Sequence, residues 1–146
     1  MNQKEDQGSG RDQEEKKRYL KRYIQIERQI EQKTDELARL RSLAEKITPS
    51  LRDSPSTGSQ DGCPLERAME QIIEMERQID RDIDSMVIIR REVHQTIAAV
   101  GCAVYRDVLR LRYINGMTYE QISARTNYSL VHIYRIHKAA LDAVVI

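Results

Sequence analysis

From Tyr19 onward, the positions Tyr19, Tyr23, Ile26, Ile30, Lys33, Leu37, Leu40, Ala44 and Ile47 follow one another in unbroken alternating steps of four and three residues. This is the period at which one stripe of an α-helix stays turned toward a partner helix, so the spacing predicts a coiled-coil helix over residues 14–47. At about 1.5 Å per residue such a helix reaches about 50 Å. Its one polar seam member, Lys33, costs stability when buried but is able to fix register.

The pattern stops at Thr48. Residues 48–64 hold Pro49, Pro55 and Pro64 with Gly58, Gly62 and several serines, which predicts a flexible linker. A second seam is read at Leu65, Met69, Ile72, Glu76, Ile79, Ile83, Met86, Arg90, Val93, Ile97 and Val100, giving a second coiled-coil helix over residues 65–100. The first seam segment carries ten basic and seven acidic side chains and the second five and eight, net charges of +3 and −3. Opposite charges flanking two seams favour an antiparallel hairpin. Heptads serve pairing within one chain or between two, and a homo-oligomer, a dimer joined through the coiled coil, is also expected.

The first 13 residues are polar, contain Gly8 and Gly10, and are expected to be disordered. No apolar run there forms a signal-peptide core, and the longest apolar stretch, around Ile97 to Tyr105, is far short of the ~20 residues that span a membrane. The expectation is a cytoplasmic protein with no membrane partner. Cys63 and Cys102 have no second cysteine or histidine at ligand spacing and read as free thiols.

Composition locates the core. With no Trp, no Phe and seven Tyr, five of them from Tyr105 onward, the aromatic bulk lies near the C-terminus. Residues 104–146 hold six basic and three acidic side chains, and with His132 and His137 make a modest basic surface of the kind phosphate backbones attract.

Within residues 102–146, Tyr105 to Ile114 reads as a short amphipathic helix with Val108, Leu109, Leu111 and Tyr113 available for burial. Asn115-Gly116 stops it, Gly116 supplying the positive φ that such a stop favours. Thr118 begins a two-turn helix with Gln121 three residues on, a capping box. The next break falls at Thr126-Asn127-Tyr128, where Asn127 is suited to a left-handed conformation. Ser129 is the expected N-cap of a third helix reaching about Val144, with Ile133, Ile136, Ala140 and Leu141 on its inner face. Short helix, tight turn and longer helix is helix-turn-helix syntax.

The runs Val108-Leu-Arg-Leu-Arg-Tyr113 and Gly116-Met-Thr-Tyr-Glu-Gln-Ile122, followed by Ser129 and by Ile133 through Leu141, resemble region 4 of bacterial sigma factors. With the Asn127-Tyr128-Ser129 turn and the preceding coiled coil, they also resemble small sigma-region-4-like regulators of phages and prophages of Gram-positive bacteria. The resemblance implies an all-α chain in which a long coiled-coil helical hairpin precedes a DNA-binding helix-turn-helix domain. The implied activity is transcription regulation in a bacterial host cell, with double-stranded DNA as partner and RNA polymerase as a further one.

It implies that the helix from Ser129 enters the major groove while Thr118 and Tyr119 meet a phosphate, as the partial positive charge of a helix N-terminus favours. The groove-facing candidates are Ser129, Leu130, Val131, Tyr134, Arg135 and Lys138, with His132 at the edge. Sigma factors carry charged side chains where this chain has Leu130, Val131 and Tyr134, so recognition of the usual promoter element is not implied. Apolar side chains either meet thymine methyl groups or pack on a partner. No segment resembles the sigma region that melts promoters, so a complete sigma factor is not expected.

Two other functions stay open. One is the small subunit of a phage DNA-packaging terminase, which also joins a helix-turn-helix to oligomerising helices. The other is a protein-interaction adaptor docking on RNA polymerase without reading DNA. No catalytic residue, metal site or cofactor is expected, because the chain has no glycine-rich phosphate loop, no paired ligand motif and no nucleophile beside a base.

Overall fold

A computed structural model describes residues 4–50 and 63–146. The described residues form five α-helices and no strand: α1 (Lys4–Ser50), α2 (Pro64–Ala98), α3 (Ala103–Tyr113), α4 (Tyr119–Thr126) and α5 (Leu130–Ala143). None is long and apolar enough to cross a membrane.

Helix α1 begins at Lys4, ten residues before the expected start. Its first turns hold Lys, Glu, Gln and Arg, straight-chain residues that lose little freedom in a helix, and an Asp12–Lys16 pair at 2.7 Å joins neighbouring turns. The helix also continues through Pro49 to Ser50, past the expected end at residue 47. Most of the expected linker, residues 51–62, lies outside the described residues.

Contacts divide the chain into two units: one built from the described residues up to Ile26 with Met86–Ile146, the other being Glu27–Ser85. In the Glu27–Ser85 unit, two helix segments pair antiparallel around Leu37, Ala44, Ala68 and Ile72, with Leu40, Ile47, Leu65, Met75 and Ile79 packed beside them. The seam on α2 departs from the expected one. Ala68 and Met75 face inward, while Met69 and Ile83 are exposed and Glu76 lies at the rim, bonded to Arg41 at 2.6 Å. At Lys33 the ammonium reaches Asp82 at 2.6 Å, and a half-buried cation is far less costly opposite a carboxylate than opposite Ile83.

In the other unit, Leu20, Tyr23, Val93, Ile97 and Val100 from α1 and α2 share one core with Leu109, Tyr113, Ala140, Leu141 and Val144. Ile89 packs on this core, whereas Arg90, an expected seam member, is exposed. Arg22 bonds Glu92 at 2.7 Å and Tyr19 contacts Thr96 at 3.3 Å, so this pairing is antiparallel too. In both units the seam is filled within one chain. The expected division near residue 101 does not separate two cores, because the ends of α1 and α2 supply half the apolar wall behind α3 and α5.

Candidate nucleic-acid interface

Helices α3, α4 and α5 close a second small core from Val108, Ile122, Ile133 and Ile136, with Tyr105, Leu111, Met117 and Tyr119 at its edge. Helix α3 therefore works on two sides, turning Val108 into this core and Leu109 and Tyr113 into the one shared with α1 and α2. Short polar devices set the angles. After α3, Gly116 takes φ +67° and the Met117 N–H donates to the Leu111 carbonyl at 3.0 Å. The Arg112 guanidinium donates to the Met117 carbonyl at 2.8 Å, securing the same turn.

Thr118 caps α4 with both halves of the capping box. Its hydroxyl accepts from the Gln121 N–H at 3.2 Å, and its own N–H donates to Gln121 Oε1 at 2.8 Å. At the far end Asn127 takes φ 59°, a left-handed residue that ends α4 at once. Ser123 donates its hydroxyl to the Tyr128 carbonyl at 2.5 Å, clamping the turn. Ser129 then caps α5, its Oγ accepting from the His132 N–H at 3.2 Å.

Thr118 and Ser129 thus sit at helix N-termini as expected, each with its hydroxyl occupied by its own cap. The Glu120 carboxyl in the first turn of α4 is held below its ordinary pKa by hydrogen bonds from its own backbone N–H and from the Thr118 side chain. Along α5, Val131, Tyr134, Arg135 and Lys138 follow at helical spacing and all face solvent; Val131 is 60% exposed and Tyr134 46%. Leu130 is half-buried. His132 is exposed, with its ring 5.0 Å edge-on from Tyr128, an aromatic side chain beside the stripe that sequence reasoning passed over.

Tyr119 is not a free surface tyrosine. Its ring lies 4.7 Å from that of Tyr134, under the Arg112 guanidinium at 4.4 Å, and its hydroxyl is 3.4 Å from His137 Nδ1. His137 departs most from expectation, since it is buried and not part of a basic surface. Tyr113 Oη meets its Nε2 at 2.8 Å, so in either tautomer the neutral ring has one hydroxyl for its donor and one for its acceptor. Burial pushes its pKa down to about 4, with the positive charges of Lys17, Arg112 and Lys21 acting in the same direction. Burial likewise holds the Tyr113 phenol well above its ordinary range. The signal for His137 was its i+4 placement after Ile133, on the inner face.

Residues 105–144 match the family model described as Sigma-70, region 4. The match covers α3, α4 and α5 and leaves α1 and most of α2 outside it. It makes the C-terminal module similar to the region 4 helix-turn-helix of sigma factors. Neither the curated proteins nor the solved structures give a match to this chain.

Proposed function

We propose that the chain is a sequence-specific, double-stranded-DNA-binding transcription regulator of the phage or prophage type, with α5 entering the major groove. The observation that carries this is the open stripe Val131, Tyr134, Arg135 and Lys138 on α5, in a module that matches sigma region 4. An α-helix is the element a major groove admits. Arg135 contacts bases or phosphate, Lys138 contacts backbone, and Val131 and Tyr134 meet thymine methyl groups. Thr118 and Tyr119 bring the N-terminus of α4 to a phosphate, with the Tyr119 N–H as donor, because the Thr118 N–H and hydroxyl are both committed to the capping box.

Tight binding of a selected duplex that falls at least tenfold with Arg135→Ala supports this reading. Equal affinity for selected and scrambled duplexes contradicts sequence specificity. The exposure of Val131 and Tyr134 favours a second reading, in which the stripe is the apolar centre of a protein interface and the chain docks on RNA polymerase. Val131→Ala with Tyr134→Ala separates the two: loss of polymerase binding with DNA affinity intact selects the adaptor. Regulation as a dimer remains part of the proposal, with a surface other than the two filled seams as the contact.

A further inference from the structure

Of the basic cluster near the start of α1, part is already engaged. Lys16 is buried and paired with Asp12, and Arg22 is held by Glu92 and stacked on Tyr19 at 4.1 Å. Lys17 and Lys21 are not spent in this way. Lys17 makes only an i,i+3 surface pair with Glu14 at 2.6 Å, a kind worth little in water. No ion pair among the described residues involves Lys21 or Arg112.

The position of these cations follows from where α1 touches the helix-turn-helix. Gln13 donates to the Asp142 carboxylate at 2.5 Å, near the end of α5. Three turns later, Ile24 Cδ1 lies 3.8 Å from where a Cβ on Gly116 would stand, at the turn leading into α4. Between them Leu20 and Tyr23 are buried against Leu109, Tyr113 and Leu141. Lys17 and Lys21 fall on the same flank of α1, at i+4 and i+8 from Gln13. Their charge is felt at His137, alongside that of Arg112. His137 touches Tyr119, the first residue of α4, and Tyr119 packs on Tyr134 of the open α5 stripe.

We propose that the α1 flank carrying Lys17 and Lys21, together with Arg112, is a second contact surface for the DNA backbone, beside the groove that α5 enters. This rests on the DNA-binding function proposed above and adds to it a sequence-independent footprint built by a helix outside the matched module. Phosphate fits this surface because Lys17 holds only the exposed Glu14, Lys21 has no ion pair among the described residues, and Arg112, over the Tyr119 ring at 4.4 Å, keeps its charge without a carboxylate partner at the start of α4.

The test uses the full chain on a selected duplex and on an unrelated duplex across a series of KCl concentrations. Lys17→Gln with Lys21→Gln is expected to weaken both complexes by a similar factor, and to flatten the slope of log affinity against log salt by about 1.8, at ~0.9 for each phosphate no longer neutralised. Lys17→Arg with Lys21→Arg keeps the wild-type slope. Arg39→Gln with Lys46→Gln, which removes equal charge from the other unit, leaves the slope unchanged. Helicity by circular dichroism verifies that every variant is folded. An unchanged slope in the glutamine variant, with Arg135→Ala still weakening the selected duplex, overturns the flank and leaves the α5 reading standing. Loss of slope in the arginine variant also overturns it. A wild-type chain that shows no salt-dependent DNA binding overturns both.

Discussion

The two units solve the same problem, burying one stripe of each of two antiparallel helices, with unequal means. In the Glu27–Ser85 unit only two helix segments meet, and the buried residues Leu37, Ala44, Ala68 and Ile72 each keep between 4% and 8% of their surface. In the other unit the helix ends meet a third layer. Every one of the largest fully buried side chains lies there, among them Tyr113, Leu20, Ile97, Leu109 and Leu141. Two helices side by side always leave two edges open to water, whereas a helix-turn-helix laid across them closes one edge. Stability is therefore expected to concentrate around the helix-turn-helix module, with the paired helices supporting the fold of α3 and α5.

The largest effects should come from truncations that contrast the two cores. Leu109→Ala or Leu141→Ala is expected to cost about 3–5 kcal/mol, and Leu37→Ala about 2 kcal/mol, on the scale of buried leucine truncations. Urea unfolding followed by circular dichroism measures both. Equal losses at Leu37 and Leu109 would remove the distinction between the units.

Acid should act on the helix-turn-helix unit through His137. Its folded pKa of about 4 lies below the ordinary 6.5, so between those values the unfolded chain binds the extra proton. This contribution to stability is complete above pH 6.5 and declines as pH falls toward 4, by up to a few kcal/mol at ~1.4 per pKa unit. Unfolding free energies of wild type and His137→Gln, compared from pH 7.5 to 4, should converge as acid is added. Parallel curves would mean that the ring is not held neutral.

A smaller effect is expected at the polar seam pair. Asp82→Ala leaves Lys33 without its carboxylate and should cost about 1–3 kcal/mol, while Lys33→Met with Asp82→Leu should be neutral or stabilising. If the double variant were as destabilised as the single, the pair would be contributing more than register. The smallest effects are at the caps. Thr118→Ala and Ser129→Ala should each cost about 1 kcal/mol, and Asn127→Gly should be near neutral because φ 59° suits glycine.

The sequence made local devices legible where one residue type has one job. Gly116 and Asn127 take positive φ, Thr118 and Gln121 close the capping box, and Ser129 caps α5, all as their chemistry predicts. The inner face of α5 was legible from periodicity alone. Choices between neighbouring seam positions were not, because hydrophobicity ranks Met69 and Ile83 above Ala68 and Asp82, while the packed helices choose by size and by the charge opposite. The use of α1 as a wall for α3 and α5 was hidden for a related reason: a heptad stripe states that a helix is covered but not by what. His137 read as a surface cation because histidine is ambiguous until its neighbours are known. Only the assembled core shows two tyrosines waiting for a neutral ring.

The central claim is that α5 reads DNA, and selection of bound duplexes from a random pool at near-physiological salt tests it most directly. The full wild-type chain would be run beside Arg135→Ala with Lys138→Ala. The account predicts a defined motif for the wild type that disappears in the variant. A wild-type pool with no enriched motif, or one that the variant reproduces, would contradict it.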